Sequence, residues 1–209
     1  AIRKNNIACA FGQMGKDDLE SQYLKEALQI EEKLYGGNHP HIAIRLGNLA
    51  LVYERIKDQY IDGRDCIDRA REYWERAFDI DLDFYGLGHP HTLSRMYGLA
   101  GNYRKKNDFE KALEWNNKAI DISESEAPEG YNHGEGLLHR GNTYVEMKDY
   151  PSALKDYEDA LSIITKSRGE KSHDQSIGFK NIAFLKGQQG DYSSAADYLE
   201  KALQIDELN

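Results

Sequence analysis

The sequence predicts an all-α fold, a right-handed superhelical solenoid of five helix-turn-helix repeats that fills residues 1–209 as one domain. Three observations lead to this prediction. Small residues recur at a fixed period, apolar residues around them have helical spacing, and turn residues separate the two helices of each repeat. The predicted repeats are 1–40, 41–90, 91–132, 133–174 and 175–209.

Two columns of small residues define the period. Successive members of the second-helix column are 50, 42, 41 and 42 residues apart. The first-helix column lies 19 residues earlier in four repeats but 27 residues earlier in the second repeat, which therefore carries eight extra residues. The first column is Ala8, Ala50, Ala100, Gly141 and Ala183, and the second is Ala27, Ala77, Ala119, Ala160 and Ala202. A period of about 42 residues is typical of stacked helical hairpins.

Apolar columns follow the same period. The positions one and three residues after the second-helix alanine are apolar in every repeat, and an aromatic residue follows the first small column by three positions except at Lys186 in the fifth repeat. Apolar residues at such intervals mark one face of a helix. One hairpin cannot bury this face alone, so we expect the repeats to stack and to leave a concave groove lined by the first helices.

Residues that favour turns stand between the predicted helices. Asp108, Asp149 and Asp191 are placed to cap the helix that follows each turn, and Pro151 is tolerated because it falls in a first helical turn. At the joints between repeats, the His-Pro pairs 39–40 and 89–90 predict a proline that starts the next helix and a histidine that caps or packs at the turn.

The extra residues of the second repeat lie at about 58–67. They are expected to lengthen both helices of that repeat by about a turn each, and a protruding loop is the alternative.

Composition excludes several classes of function. The chain has 27 Lys and Arg against 36 Asp and Glu, a net charge of −9, which argues against nucleic acid as a partner. No run of about 18 to 20 apolar residues predicts a membrane helix, and no apolar segment follows the first charges as in a secretory signal. Two cysteines are too few for a disulfide framework, so a cytoplasmic location is expected.

Helix geometry predicts which side chains face the groove, because residues about 100° from the small and aromatic columns turn toward the concave side. The candidate peptide-binding residues are Asn6, Asn48, Leu51, Arg55, Tyr97, Arg104, Lys105, His139, Asn142, Lys180, Asn181 and Phe184. Among all positions assigned to this surface, four are cationic and one, Glu146, is acidic. Asparagine amides suit a peptide backbone, and Leu51, Tyr97 and Phe184 offer anchorage. We therefore expect an acidic peptide with a bulky apolar residue; ordinary solvation of these positions is the alternative.

The segments Leu49-Ala50-Leu51-Val52-Tyr53, Tyr150-Pro151-Ser152-Ala153 and Ala202-Leu203-Gln204-Ile205 resemble tetratricopeptide repeats. The segments 34–40 and 84–90, with the 42-residue period, are similar to repeats of the kinesin light chain type. This resemblance implies protein or peptide binding without catalysis, and grooves of the kinesin light chain type accept acidic peptides.

No motif in the sequence points to an enzyme, a metal or a cofactor. The histidines at the repeat joints would be presented as separated pairs rather than as three or four converging ligands. The pattern that clamps a C-terminal carboxylate is incomplete, because Leu138 and Phe184 occupy two of its polar positions.

Two readings of the function therefore stay open. The first is an adaptor or scaffold that binds a peptide. The second is a regulatory or architectural domain of a larger signalling protein, or one that associates with a second copy of itself.

Overall fold

The computed structural model describes residues 1–56, 60–61 and 64–208, without the side chains of residues 60, 61 and 64. The described residues form ten α-helices and one pair of two-residue strands, so the predicted all-α class is confirmed. They divide into two compact units, Ala1–Lys106 and Asn107–Asn209. The single domain and the repeat boundaries stay predictions.

The first unit contains five helices and the short strand pair. The helices are α1 (Ile2–Gln13), α2 (Asp17–Tyr35), α3 (Pro40–Arg55), α4 (Cys66–Tyr85) and α5 (Pro90–Lys105). The strands are β1 (Tyr60–Ile61) and β2 (Arg64–Asp65). Each helix packs against the one before it in sequence.

The second unit is formed by five further helices. They are α6 (Phe109–Glu126), α7 (Tyr131–Glu146), α8 (Tyr150–Arg168), α9 (His173–Gln188) and α10 (Tyr192–Asp206). Its core includes Leu137, Tyr157, Ile164, Ile182 and Leu185 from three successive helices. Here too, consecutive helices are neighbours in space.

Both columns of small residues lie in the interior, as the repeat pattern predicts. All five second-helix alanines are 0% exposed, and the first-helix column is buried throughout. The reason is close helix approach, which is clearest at Gly141, where an added Cβ would lie 2.5 Å from the Tyr157 ring. Small side chains at these positions let the two helices of a hairpin touch.

The predicted capping residues begin their helices. Asp108, Asp149 and Asp191 accept hydrogen bonds from the backbone N–H groups of Lys111, Ser152 and Ser194, respectively. The residue before each of the first two caps has a positive φ, 59° at Asn107 and 63° at Lys148, which closes the turn. These caps satisfy N–H groups that have no partner inside the helix.

The histidines at the joints of the first unit also act as caps. Nδ1 of His39 accepts from the N–H of His41, and Nδ1 of His89 accepts from the N–H of His91, both at 3.2 Å. Each capping ring stacks on the tyrosine that ends the preceding helix, with centroids 4.1 Å apart for His89 and Tyr85. The predicted capping role of these histidines is confirmed.

A buried ion pair recurs in the first unit at the same spacing. Arg45 pairs with Glu31 at 3.2 Å, and Arg95 pairs with Asp81 at 2.9 Å. Each pair joins a second helix to the first helix of the next hairpin. The acidic partner is buried in both pairs, so loss of the arginine would leave an uncompensated buried charge.

The expected lengthening of the helices in the second repeat is wrong for the described residues. β1 and β2 pair antiparallel there, with Tyr60 opposite Asp65 and Ile61 opposite Arg64. Residues 57–59 and 62–63 of this segment lie outside the described residues. Asp65 then caps α4 by accepting from the N–H of Ile67 at 2.7 Å.

Candidate functional site

The predicted groove residues of the first unit do not form one accessible surface. Asn6 is exposed, Asn48 is half-buried and Leu51 is 48% exposed. Tyr97, in contrast, is only 2% exposed. It therefore packs in the interior and does not offer the accessible aromatic anchor expected from the sequence, because its place on α5 turns inward.

Cations predicted to attract an acidic peptide are engaged within the protein. Arg55 forms ion pairs with Asp17, at 3.1 Å, and with Glu20 at the start of α2. Lys105 pairs with Glu54 at 2.6 Å. In the second unit, Lys180 on α9 pairs with Asp206 on α10 at 2.7 Å. Their positive charge is therefore offset by carboxylates of the same unit.

The partner of Lys105 belongs to a buried polar network. Glu54 is 7% exposed and accepts from the indole N–H of Trp74 at 3.0 Å and from the amide of Asn102 at 3.1 Å. A negative residue in place of Lys105 would face this buried carboxylate. Reversal of that charge would disturb the fold as well as any binding surface.

The second unit brings three predicted residues together. His139 and Asn142 of α7 and Asn181 of α9 line one cavity of about 170 Å³ between these neighbouring first helices. The other residues that line the cavity are Tyr131, Glu135, Leu138, Asp174 and Ile177. The cavity thus has an apolar part, amide groups, and two carboxylates at the end nearest the helix N-termini.

The two helices present complementary stripes to the cavity. On α7 the lining residues Tyr131, Glu135, Leu138 and Asn142 are spaced by four, three and four residues, which places them on one face. Asp174, Ile177 and Asn181 have the equivalent spacing on α9. Phe184 continues the α9 stripe by three residues and is 58% exposed.

A hydrogen bond from a buried tyrosine orients the amide of Asn142. The hydroxyl of Tyr157 donates to Oδ1 of Asn142 at 2.7 Å, and Tyr157 itself is 1% exposed. Such a bond to a buried group restricts the amide to few orientations, which favours a defined contact with a ligand.

Glu135 is an acidic residue of the cavity whose ionisation is altered by its surroundings. Within the described residues, its carboxylate makes no hydrogen bond and no salt bridge. Burial, and secondarily the nearby charge of Asp174, raises the pKa of Glu135 from 4.5 to about 7, although Arg168 opposes the shift. Near neutral pH this side chain therefore exists in both protonation states.

Tyr131 and Asp174 line the polar end of the cavity, and Arg168 contacts both of them from outside the lining. The Tyr131 hydroxyl donates to Oδ1 of Asp174 at 3.2 Å. The Arg168 guanidinium lies 4.3 Å from the centre of the Tyr131 ring, and its Nε is 4.0 Å from Oδ2 of Asp174. Burial, together with Glu135 and Asp174, raises the pKa of Tyr131 above its usual range, so the hydroxyl stays a donor.

The sequence predicted the histidine and the two asparagines that line the cavity, but not the two acidic residues at its polar end. Glu135 precedes His139 and Asn142 by four and seven residues, and Asp174 precedes Asn181 by seven. The helical spacing that selected the predicted residues extends to both acids. Their omission gave a surface that looked cationic.

Comparison with known proteins identifies the family. A family model described as tetratricopeptide repeat matches residues 63–125 and 135–207, and a second model of the same description matches residues 1–41. The chain belongs to the tetratricopeptide repeat family. Such chains are protein-interaction modules and are typically non-catalytic. No sequence among the curated proteins matches this tetratricopeptide repeat chain.

Solved structures share the repeat fold. A protein of Podosopora anserina named as a kinesin light chain with nearly identical TPR-like repeats is 19% identical, with a TM-score of 0.65 over 98% of this chain and 93% of that one. BtubC from P. vanneervenii is 20% identical, with a TM-score of 0.68 over 96% and 77% of the two chains. A Rap protein complexed with competence and sporulation factor is 17% identical, with a TM-score of 0.75 over 97% of this chain and 52% of that one.

The described residues offer neither a metal site nor a membrane-spanning helix. Among the described residues, no three or more His, Cys, Asp or Glu side chains are grouped so that they could hold a metal ion. None of the described helices is both long enough and apolar enough to span a lipid bilayer.

Proposed function

We propose that this tetratricopeptide repeat chain is a non-catalytic peptide-binding module, an adaptor or scaffold, whose second unit binds an extended peptide segment along α7 and α9. The observation that carries the proposal is the cavity in which the predicted residues His139, Asn142 and Asn181 meet. Amide side chains suit the N–H and C=O groups of a peptide that has no partner strand. The exposed ring of Phe184, one turn beyond Asn181, supplies an anchor for an apolar side chain.

The preference for an acidic peptide that was expected from the sequence depended on cations that would be available to a ligand. That expectation counted Arg55, Arg104, Lys105 and Lys180 as available cations, and three of the four, Arg55, Lys105 and Lys180, are paired with carboxylates. Two further acids, Glu135 and Asp174, lie in the cavity. The proposed partner is therefore a peptide selected by amide contacts and an apolar anchor, and not by excess negative charge.

Selection of random peptides on the whole chain, followed by affinity measurement with the double variant Asn181→Ala/Phe184→Ala, tests the proposal. We expect this variant to weaken binding of the selected peptides at least tenfold, since loss of an anchor and a polar contact costs about 1.4 kcal/mol or more. The matched control is Tyr192→Ala, which removes a 75% exposed aromatic ring from α10. Equal affinities for wild type and the double variant would rule out this surface.

One observation favours self-association as a second function. The apolar residue that follows the second-helix alanine is 7% exposed at Leu28 and 4% exposed at Ile120, but 56% exposed at Leu203. Leu199 and Leu208 nearby are also more than half exposed. A second copy of the chain is a candidate to cover this stripe, because contiguous exposed apolar residues are typical of protein–protein contact surfaces.

A further inference from the structure

The cavity between α7 and α9 carries an unbalanced charge. With Glu135 ionised, Glu135 and Asp174 contribute two negative charges against one positive charge from Arg168, whose side chain is 52% exposed. Asp174 already has two partners, Tyr131 and Arg168. Glu135 has no hydrogen bond or salt bridge among the described residues. A cation in the cavity would therefore meet a carboxylate that the protein itself leaves unpaired.

The walls of the cavity fit a particular shape of cation. Leu138 and Ile177 give an apolar side against which methylene groups can pack. Glu135 and Asp174 offer acceptors at the polar end, and the amide of Asn181 offers a further acceptor two helical turns along the cavity. A volume of about 170 Å³ is small, and a compact ammonium with three donors uses scattered acceptors better than a planar guanidinium, which requires paired ones.

We propose that this cavity binds a primary ammonium group attached to a short aliphatic chain. Its sources would be a lysine side chain or the amino terminus of the bound peptide, or a free polyamine. The inference rests on the proposed function in that it assigns one subsite of the same peptide-binding surface. It reverses the charge preference that the sequence alone suggested.

Binding of the ammonium group is coupled to pH. Because the pKa of Glu135 is raised to about 7, its ionised share rises from about 3% at pH 5.5 to about 90% at pH 8. The charged and titratable groups around it are Tyr131 and His139 from α7, Arg168 from α8 and Asp174 from α9. Affinity for an ammonium probe should therefore increase up to about thirtyfold over this range.

The test uses n-butylammonium chloride as the probe and the neutral n-butanol as its isostere. Titration of the whole 15N-labelled chain at pH 8 should give saturable shifts confined to amides of residues 131–142 and 174–181, with n-butanol at least tenfold weaker. Glu135→Gln should weaken binding of n-butylammonium at least tenfold. Glu158→Gln, the same change at an exposed residue of α8, should leave it unchanged.

Three further ligands separate the possible sources. Nα-acetyl-lysine methylamide represents a lysine side chain, glycinamide represents a peptide amino terminus, and spermidine represents a polyamine. The tightest of the three identifies the source.

The ammonium subsite is overturned if n-butanol shifts the same amides equally, if no saturable shift occurs, or if Glu135→Gln binds as wild type does. These results are distinct from failure of peptide binding. Selected peptides that depend on Asn181 and Phe184, together with an absent ammonium effect, would retain the peptide-binding surface and remove only the subsite.

Discussion

At the residue scale, Glu135 links the electrostatics of the cavity to the stability of the second unit. A carboxyl group whose pKa is raised on folding binds its proton more tightly in the folded than in the unfolded state. Its favourable contribution is complete below the ordinary pKa of 4.5 and is lost as the pH rises through the folded value of about 7. Ionisation of this partly buried carboxyl therefore lowers the free energy of unfolding, and it does so only as the pH approaches and exceeds about 7.

We expect Glu135→Gln to be more stable than wild type at pH 8 and about equally stable at pH 4.5. At about 1.4 kcal/mol per pKa unit, a shift from 4.5 to about 7 corresponds to about 3.5 kcal/mol, and about 3 kcal/mol of this is lost from the free energy of unfolding of wild type between pH 4.5 and pH 8. Urea denaturation followed by circular dichroism at both pH values measures this difference. Glu158→Gln is the control, and a wild-type stability that rises as strongly as that of the variant between pH 4.5 and 8 would contradict the prediction.

The residue scale also shows which parts of the site the sequence could predict. Asn142, Asn181 and Phe184 follow from helix geometry alone, because their positions relative to the small columns fix their direction. The pairing of Lys105 with Glu54 does not, since the two residues are 51 positions apart and meet only after the helices pack. Counting charges on one helix face therefore overestimates the cations that are available to a ligand.

At the scale of helices, close approach explains why the repeat columns are small. Gly141 on α7 and the Tyr157 ring on α8 leave no space for a Cβ, since its nearest neighbour would be 2.5 Å away. Tyr157 in turn holds Asn142 of the cavity through its hydroxyl. Packing on the core side of α7 and the proposed ligand contacts on its cavity side are thus joined in one hairpin.

We expect Gly141→Ala to lower the free energy of unfolding by about 1 to 3 kcal/mol, because the added methyl group displaces Tyr157. Gly187→Ala on α9 is the matched control, since no atom lies within 4 Å of its added Cβ. There the higher helix propensity of alanine should leave stability unchanged or raise it by up to about 1 kcal/mol. Thermal and urea unfolding compare the two variants, and an equal effect of both would exclude steric displacement as the cause.

The connection between α3 and α4 could be located from the sequence, but its secondary structure could not be predicted from the repeat pattern. The repeat period locates the eight extra residues, and α4 begins at a cap on Asp65 as other second helices begin at an aspartate. The period cannot say what the extra residues form. Four residues of this segment pair as β1 and β2, which are joined by backbone hydrogen bonds.

At the scale of the whole molecule, the exposed leucines of α10 are relevant to whether the chain is monomeric or associates with a second copy. Repeat proteins gain stability from contacts between neighbouring repeats, so an uncovered apolar stripe is available for association. α1 also carries exposed apolar residues, with Ile2 at 73% and Ile7 at 42% exposure. Contact between unlike faces of two copies would be heterologous, and such contacts continue into longer assemblies when they do not close.

We expect the weight-average sedimentation coefficient of the whole chain to increase with protein concentration. Leu203→Lys should abolish the increase, because an ammonium group placed in the contact would lose its hydration. Leu51→Lys is the matched control, since Leu51 is also about half exposed but lies on the first helix α3. A coefficient independent of concentration for wild type would discard self-association but not the proposed peptide binding, because the proposed surface on α7 and α9 does not include α10.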